Sequence, residues 1–247
     1  MTLRGPCHKV AEIKMVICTM TKSPPTLIYD LDGTLVDTAP DLLHTLNVTL
    51  ADRGYRTVDP NDVADLVGNG AKAMLGAAFT KLGVVADEAE VDAMFRNFLG
   101  HYEANLTQKG SAPYPGVLPV LEGYQAAGSA QAVCTNKFET GAVKLLGNLN
   151  MAHFFAAIVG GDTLPVRKPD AEHVLETIRR AGGDPAHSVM VGDSANDVNA
   201  AHAAGVPCVL VDFGYTAIPA RELGAEKVIS HFGTLPEAVA EITGFAI

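Results

Sequence analysis

The sequence is poor in cysteine, in positive charge and in long apolar runs, and each shortage narrows what the chain can be. Its four cysteines, Cys7, Cys18, Cys134 and Cys208, are scattered through 247 residues, with no C-x-x-C pair and no histidine at metal-ligand spacing. That pattern excludes a disulfide framework and a zinc site, and it fits a reducing, cytoplasmic compartment. Only 18 basic residues stand against 28 acidic ones, for a formal charge of −10. Phosphate backbones are held by clustered Lys and Arg, so a general nucleic-acid surface is excluded. No segment approaches the roughly 18 consecutive apolar residues of a membrane span. Internal repeats and low-complexity tracts are absent. Residues 1–23 read as an N-terminal tail: the apolar piece MVICTM between Lys14 and Lys22 is shorter than a secretory core of about 7 to 15 residues. Met20 would give a compact alternative start.

What the chain does have is a 48% hydrophobic content, enough to bury a full core. Four short runs rich in Val, Ile and Leu, TLIYD (26–30), AQAVCT (130–135), SVMVGD (188–193) and PCVLVDF (207–213), are bounded by Gly, Pro, Asp or Ser. Near-continuous apolar runs of this length fit strands covered on both faces of a parallel sheet. Between the later runs, KFETGAVKLLGNL, DAEHVLETIRRAG and ANDVNAAHAAG carry apolar residues at three- and four-residue spacing with Gly near their ends. Alternating strand and helix predicts an α/β class, a doubly wound, Rossmann-like parallel sheet.

The alternation is interrupted once. From about Ala39 to Thr107 the strand signals vanish, and APDLLHTLNVTLADRG, NDVADLVG, AKAMLGAAFTKLG and EAEVDAMFRNFLGHYEANL read as four amphipathic helices. The expected organisation is a core made of residues 24–38 and 112–247, with a helical domain at 39–111 inserted after the first strand. Hinges are expected near 37–40 and 110–116, where Pro and Gly recur. Met94, Phe95 and Phe98 belong to the insert's own core.

Ligands of an open parallel sheet bind outside the carboxyl ends of its strands. Those positions hold Asp30 and Asp32, Thr135 and Asn136, and Asp193 with Asp197. Four carboxylates converging in this way repel one another unless a hard divalent cation with oxygen ligands, most often Mg²⁺, sits among them. A carboxylate beside such a cation can attack phosphorus and form an aspartyl-phosphate, the role assigned to Asp30. Asp32 can protonate the leaving oxygen and later activate water. Thr135 and Asn136 offer donors, and Lys168 sits just before a helix whose N-terminus favours an anion. Asp37 is expected to serve the turn or a helix cap.

The ordered stretches DLDGTLVDT, CTNK, RKPD and GDSANDV resemble the four motifs of the haloacid dehalogenase-like phosphohydrolase superfamily, and the insert is similar to its C1-type cap. The closer likeness, carried by DLDGTLVDTAPDL, VGNG, YPGV, TNK and GDSANDVNAAHAAG, is to phosphoglycolate phosphatases. The resemblance implies Asp30 as nucleophile and metal ligand and Asp32 as acid/base and ligand through its backbone carbonyl. It further implies Asp193 as ligand, Thr135 and Lys168 as phosphate binders, and Asp197 as support for the metal directly or through water. The expected reaction is Mg²⁺-dependent hydrolysis of a small phosphorylated metabolite, 2-phosphoglycolate foremost, by a monomer or homodimer. Asn69 and Lys72 in VGNGAK are candidate readers of the substrate, and a cap-borne cation, Lys72, Arg53 or Arg56, is the expected reader of its far carboxylate. Other sugar phosphatases, an inorganic pyrophosphatase, a β-phosphoglucomutase-like enzyme and a non-catalytic phosphate-binding regulator remain open alternatives.

Overall fold

The computed structural model describes residues 23–62, 66–67 and 70–247. The expected tail therefore lies, apart from Ser23, outside the described residues. In chain order the strands are β1 (Thr26–Tyr29), β2 (Val36–Asp37), β3 (Ala112–Pro113), β4 (Gln131–Cys134), β5 (Ala157–Val159), β6 (Ser188–Gly192), β7 (Cys208–Val211) and β8 (Lys227–Ile229). The described helices are α1 (Ala39–Ala51), α2 (Ala71–Leu82), α3 (Glu88–Asn105), α4 (Val117–Ala126), α5 (Glu139–Asn148), α6 (Ala171–Arg180), α7 (Ala195–Ala203) and α8 (Leu235–Thr243).

Six strands form one parallel sheet in the order β5-β4-β1-β6-β7-β8. Every residue of β1, β4, β6 and β7 is buried, which is why their sequences run apolar without alternation. The two-residue period of a strand still sorts them between two layers. Leu27, Tyr29, Val133, Val189, Val191 and Val209 face the layer that includes Val120 and Leu121 of α4, Leu145 and Leu146 of α5 and Val239 of α8. Ile28, Ala132, Met190, Cys208 and Leu210 face the other, with Val174 and Ile178 of α6 and Val198 of α7. The chain winds outward from β1 through β4 to β5, then returns to the opposite side of β1 to lay down β6. This reversal opens a crevice at the carboxyl end of β1.

The four expected strands are each shorter than their apolar runs. Asp30, Thr135 and Asp193 leave the ladder at its carboxyl end, and Pro207 precedes β7. β5 and β8 had given no sequence signal: each has three residues, two of them only half-buried, at an edge of the sheet.

Between β2 and β3 lie α1, α2 and α3. α3 packs against both of the others, through Leu46, Leu75, Met94 and Phe98 among others. Fully burying each such side chain contributes roughly 1.5–3 kcal/mol. Met94 and Phe98 are thus insert core as expected, whereas Phe95 is only partly buried. Of the helix expected over NDVADLVG, the described residues show a short 3-10 turn at Pro60–Asp62 and a buried Leu66; residues 63–65 and 68 lie outside them. Strands β2 and β3 pair antiparallel, Val36 opposite Pro113 and Asp37 opposite Ala112, so the insert's two connections run side by side. Among the described residues no helix is long and apolar enough to cross a membrane.

Candidate active site

Asp30 is the first residue past β1, and its N–H still reaches Val191 O at 2.9 Å, which seats its carboxylate over the β1/β6 boundary. The chain then turns sharply, with the N–H groups of Leu35 and Val36 donating to Leu31 O at 3.1 and 3.0 Å. Gly33 takes φ 83° in this turn, and a Cβ there would collide with the Asp193 carboxylate. Glycine alone meets both conditions. The turn separates the two aspartates. Asp30 faces Lys168, whose Nζ is 2.8 Å from its Oδ1. Asp32 instead accepts from Thr38 Oγ1 at 2.7 Å and Lys137 Nζ at 2.8 Å, leaving Oδ2 the freer oxygen, 3.2 Å from the same ammonium.

Asp193 and Asp197 come from the loop between β6 and α7. Ser194 and Asp197 form a capping box: the Ser194 N–H and Oγ donate to Asp197 Oδ2 at 3.0 and 2.8 Å, and the Asp193 N–H adds a bond of 3.2 Å. The other Asp197 oxygen takes Lys168 Nζ at 2.7 Å. Asp197 is thus committed to the helix end and to a buried lysine, and of the four carboxylates it has the least free capacity. Asp193 Oδ2 accepts the Tyr215 N–H at 2.7 Å. The Tyr215 hydroxyl in turn accepts the N–H groups of Thr38 and Ala39 at 2.7 and 2.9 Å and donates to Asp37 Oδ1 at 2.6 Å. Asp37 is therefore part of the α1 start, as its sequence context suggests.

The electrostatics are strained in one direction. Burial pushes the Asp30 carboxyl up to about 6 despite the opposing Lys168 charge, with Asp197 adding to the rise. Asp193 is raised well above the carboxylate range by burial and then by Asp197 and Asp30. Burial acts to lower Lys168, yet the Asp197 and Asp30 carboxylates outweigh it and the ammonium is held charged. One oxygen from each of Asp30, Asp193 and Asp197 lies within 4.8 Å of the others. Asp30 Oδ1 is buried against the Lys168 ammonium and has no other protein partner among the described residues. Three buried hard donors, two of them raised first by burial and then by the neighbouring carboxylates, fit a divalent cation.

Thr135, past β4, is buried with its N–H on Val159 O at 3.0 Å and its hydroxyl accepting the Lys137 N–H at 3.1 Å. Asn136 donates through Nδ2 to Lys168 O at 3.1 Å, bracing the lysine's backbone, while its Oδ1 has no partner. His173, fully buried on α6, accepts the Lys168 N–H at Nδ1 (3.1 Å) and lies 3.0 Å from Gly160 O through Nε2. Lys137 and His173 were not foreseen. A lysine in a strand-end loop has no local signature, and its partner, Asp32, is 105 residues away. Lys137 Nζ also sits 4.6 Å from the Tyr102 ring of α3, tying insert to core.

A cavity of about 280 Å³ opens between the insert and the sheet, lined on the core side by Asp30, Asp32, Thr135, Asn136, Lys137 and Arg167 and on the insert side by residues including Leu42, Met74, Phe95, Phe98 and Tyr102. Lys72 lines it too, but its ammonium is 2.6 Å from Asp92 at an exposed position. Asn69 lies outside the described residues. Arg53 and Arg56 are exposed and do not line the cavity, which removes them as readers of a ligand held there.

The family model for haloacid dehalogenase-like hydrolases matches residues 27–211. A phosphoglycolate phosphatase of Agrobacterium fabrum is 47% identical over 90% of this chain and 96% of its own length. One of Caulobacter vibrioides is 43% identical over 86% of this chain and 90% of its own. The crystal structure of a predicted phosphoglycolate phosphatase from Haemophilus somnus superposes with a TM-score of 0.81 at 31% identity, covering 86% of this chain and 96% of that one.

Proposed function

This chain belongs to the haloacid dehalogenase-like hydrolases, and on that premise we propose that it is a Mg²⁺-dependent phosphatase that hydrolyses 2-phosphoglycolate through a phosphorylated Asp30. The observation that carries the reading is the meeting of Asp30, Asp193 and Asp197 with the buried Lys168 ammonium at the carboxyl ends of β1 and β6. The names of the relatives at 43–47% identity support the substrate.

The substrate's phosphoryl group enters beside Asp30. Lys168 and the Thr135 hydroxyl donate to its oxygens, and the Asp30 carboxylate attacks phosphorus in line. As the bond to the leaving oxygen breaks, Asp32 delivers a proton to it and glycolate departs. The Asp32 carboxylate then takes a proton from water, whose oxygen attacks the aspartyl-phosphate. Inorganic phosphate and free Asp30 result. Thr38 and Lys137 fix the direction in which Asp32 points throughout. Asp30 and Asp193 would hold the cation, with the Asp32 backbone carbonyl, while Asp197 acts chiefly by aiming Lys168. When bound, Mg²⁺ neutralises the carboxylates and withdraws charge from the transferring phosphoryl group.

The helices between β2 and β3 act as the cap, a domain at 39–111 over a core of 24–38 and 112–247, and the paired strands β2 and β3 are its hinge. Closure of the cavity excludes bulk water and limits the leaving group to a small one. The test is phosphate release from a panel of small phosphomonoesters and pyrophosphate, with Mg²⁺ and with EDTA. A metal-dependent preference for 2-phosphoglycolate is expected. Activity spread evenly over sugar phosphates would overturn the substrate, and activity surviving EDTA would overturn the metal.

A further inference from the structure

The cavity is lined by six acidic and basic side chains, Asp30, Asp32, Lys72, Glu103, Lys137 and Arg167. Five of them already have a counter-charge. Asp30 has Lys168 at 2.8 Å, Asp32 and Lys137 have each other at 2.8 Å, Lys72 has Asp92 at 2.6 Å, and Glu103 has Lys144 at 3.1 Å. Among the described residues, no ion pair and no hydrogen bond involves the Arg167 guanidinium, which stays exposed at the cavity wall. An unpaired cation facing a partly apolar cavity is the feature there that asks for an anion.

Its position narrows the anion. Arg167 immediately precedes Lys168. Lys168 turns inward to Asp30 and Asp197, whereas Arg167 reaches the cavity, so two successive residues serve two neighbouring places. Across from it the chain enters α2 at Gly70. A Cβ there would lie 3.7 Å from Arg167 Nη1 and 3.3 Å from Asn136 O, and Gly70 takes φ 84°. The positive φ and the close approach to the Asn136 carbonyl call for glycine here, and they set the start of the insert's second helix within ordinary contact distance of the guanidinium.

We propose that Arg167, a core residue and not one on the cap, reads the second anionic group of the substrate, a carboxylate one or two bonds beyond the phosphate ester. A planar guanidinium presents paired N–H donors that match a carboxylate, whereas Lys72, the insert's lysine on the same cavity, is paired with Asp92. The proposal rests on the phosphatase reading above and deepens it by giving the discrimination between substrates to a single side chain.

The experiment compares kcat/KM for 2-phosphoglycolate with kcat/KM for 2-hydroxyethyl phosphate, which has the same ester and chain length but no carboxylate. The wild-type protein, Arg167→Gln and Arg167→Lys are measured with Mg²⁺, and circular dichroism checks each fold. The ratio of the two values is expected to fall on the order of 10- to 100-fold in Arg167→Gln, the range of a charge-assisted hydrogen bond. Arg167→Lys should restore part of it. A ratio unchanged in Arg167→Gln, whether or not both rates fall together, overturns the assignment and leaves the phosphatase reading standing. A wild-type ratio near one would overturn the substrate reading and the assignment with it.

Discussion

Replacing His173 with Gln should remove part of the protein's loss of stability in acid. The imidazole is fully buried, accepts the Lys168 N–H and lies against Gly160 O, an arrangement that uses one protonated and one bare nitrogen. Burial, and then the nearby Lys168 charge, lower its pKa from 6.5 to about 4. Between these values the unfolded chain holds a proton that the folded chain does not. The contribution is therefore complete above pH 6.5 and is lost as pH falls toward 4. At 1.36 kcal/mol per unit, moving from pH 8 to pH 5 removes about 2 kcal/mol. Asp30 and Asp193 act with the opposite sign, because their raised values mean that the fold takes up protons and gains stability on acidification. The wild-type profile alone therefore mixes both. The assay is urea unfolding of wild type and His173→Gln in EDTA at pH 8 and pH 5, read as a difference between the two proteins. The advantage of wild type should shrink by about 2 kcal/mol at pH 5. A difference that stays constant between the two pH values would refute the reasoning.

Lys168→Met leaves Asp30 and Asp197 buried without their cation. In EDTA at pH 8 it should lose about 3–5 kcal/mol of stability by urea unfolding, the range for breaking a buried pair. The loss should shrink toward pH 5 as the orphaned carboxylates take up protons. Tyr215→Phe deletes the hydroxyl that accepts from Thr38 and Ala39 and donates to Asp37 at the start of α1. A cost of about 1–3 kcal/mol follows for unsatisfied buried groups. Because the same residue's N–H holds Asp193, apparent Mg²⁺ affinity, read from activity against metal concentration, should change far less than stability does. A large affinity loss would mean that the hydroxyl network, and not the backbone bond, orients Asp193.

Much of the fold could be read in advance because its central strands are buried on both faces, so TLIYD, AQAVCT and SVMVGD needed only to be apolar and short. The ends of those runs point to the site for the same reason: Asp30, Thr135 and Asp193 break an apolar run where the strand meets the crevice. The edge strands had no such signal, since AIV and KVI are three residues long and half-buried. The β2–β3 ribbon is two residues on each side and depends on contacts between positions 36 and 113. Asp197 was legible as a site residue, and the S-x-x-D spacing from Ser194 also carried the capping box that occupies one of its oxygens. Lys137 and His173 were hidden because each acquires its role from a partner distant in sequence or from the backbone of another loop.

The central claim is that Asp30 becomes phosphorylated. Enzyme mixed with 2-phosphoglycolate and Mg²⁺ is quenched within one turnover, reduced with borohydride, digested and read by mass spectrometry. An acyl phosphate on Asp30 is reduced to the alcohol, so the account predicts homoserine at position 30 in the presence of substrate and unaltered aspartate in its absence. Phosphate release with Asp30 always recovered intact, or turnover retained by Asp30→Asn, would contradict it.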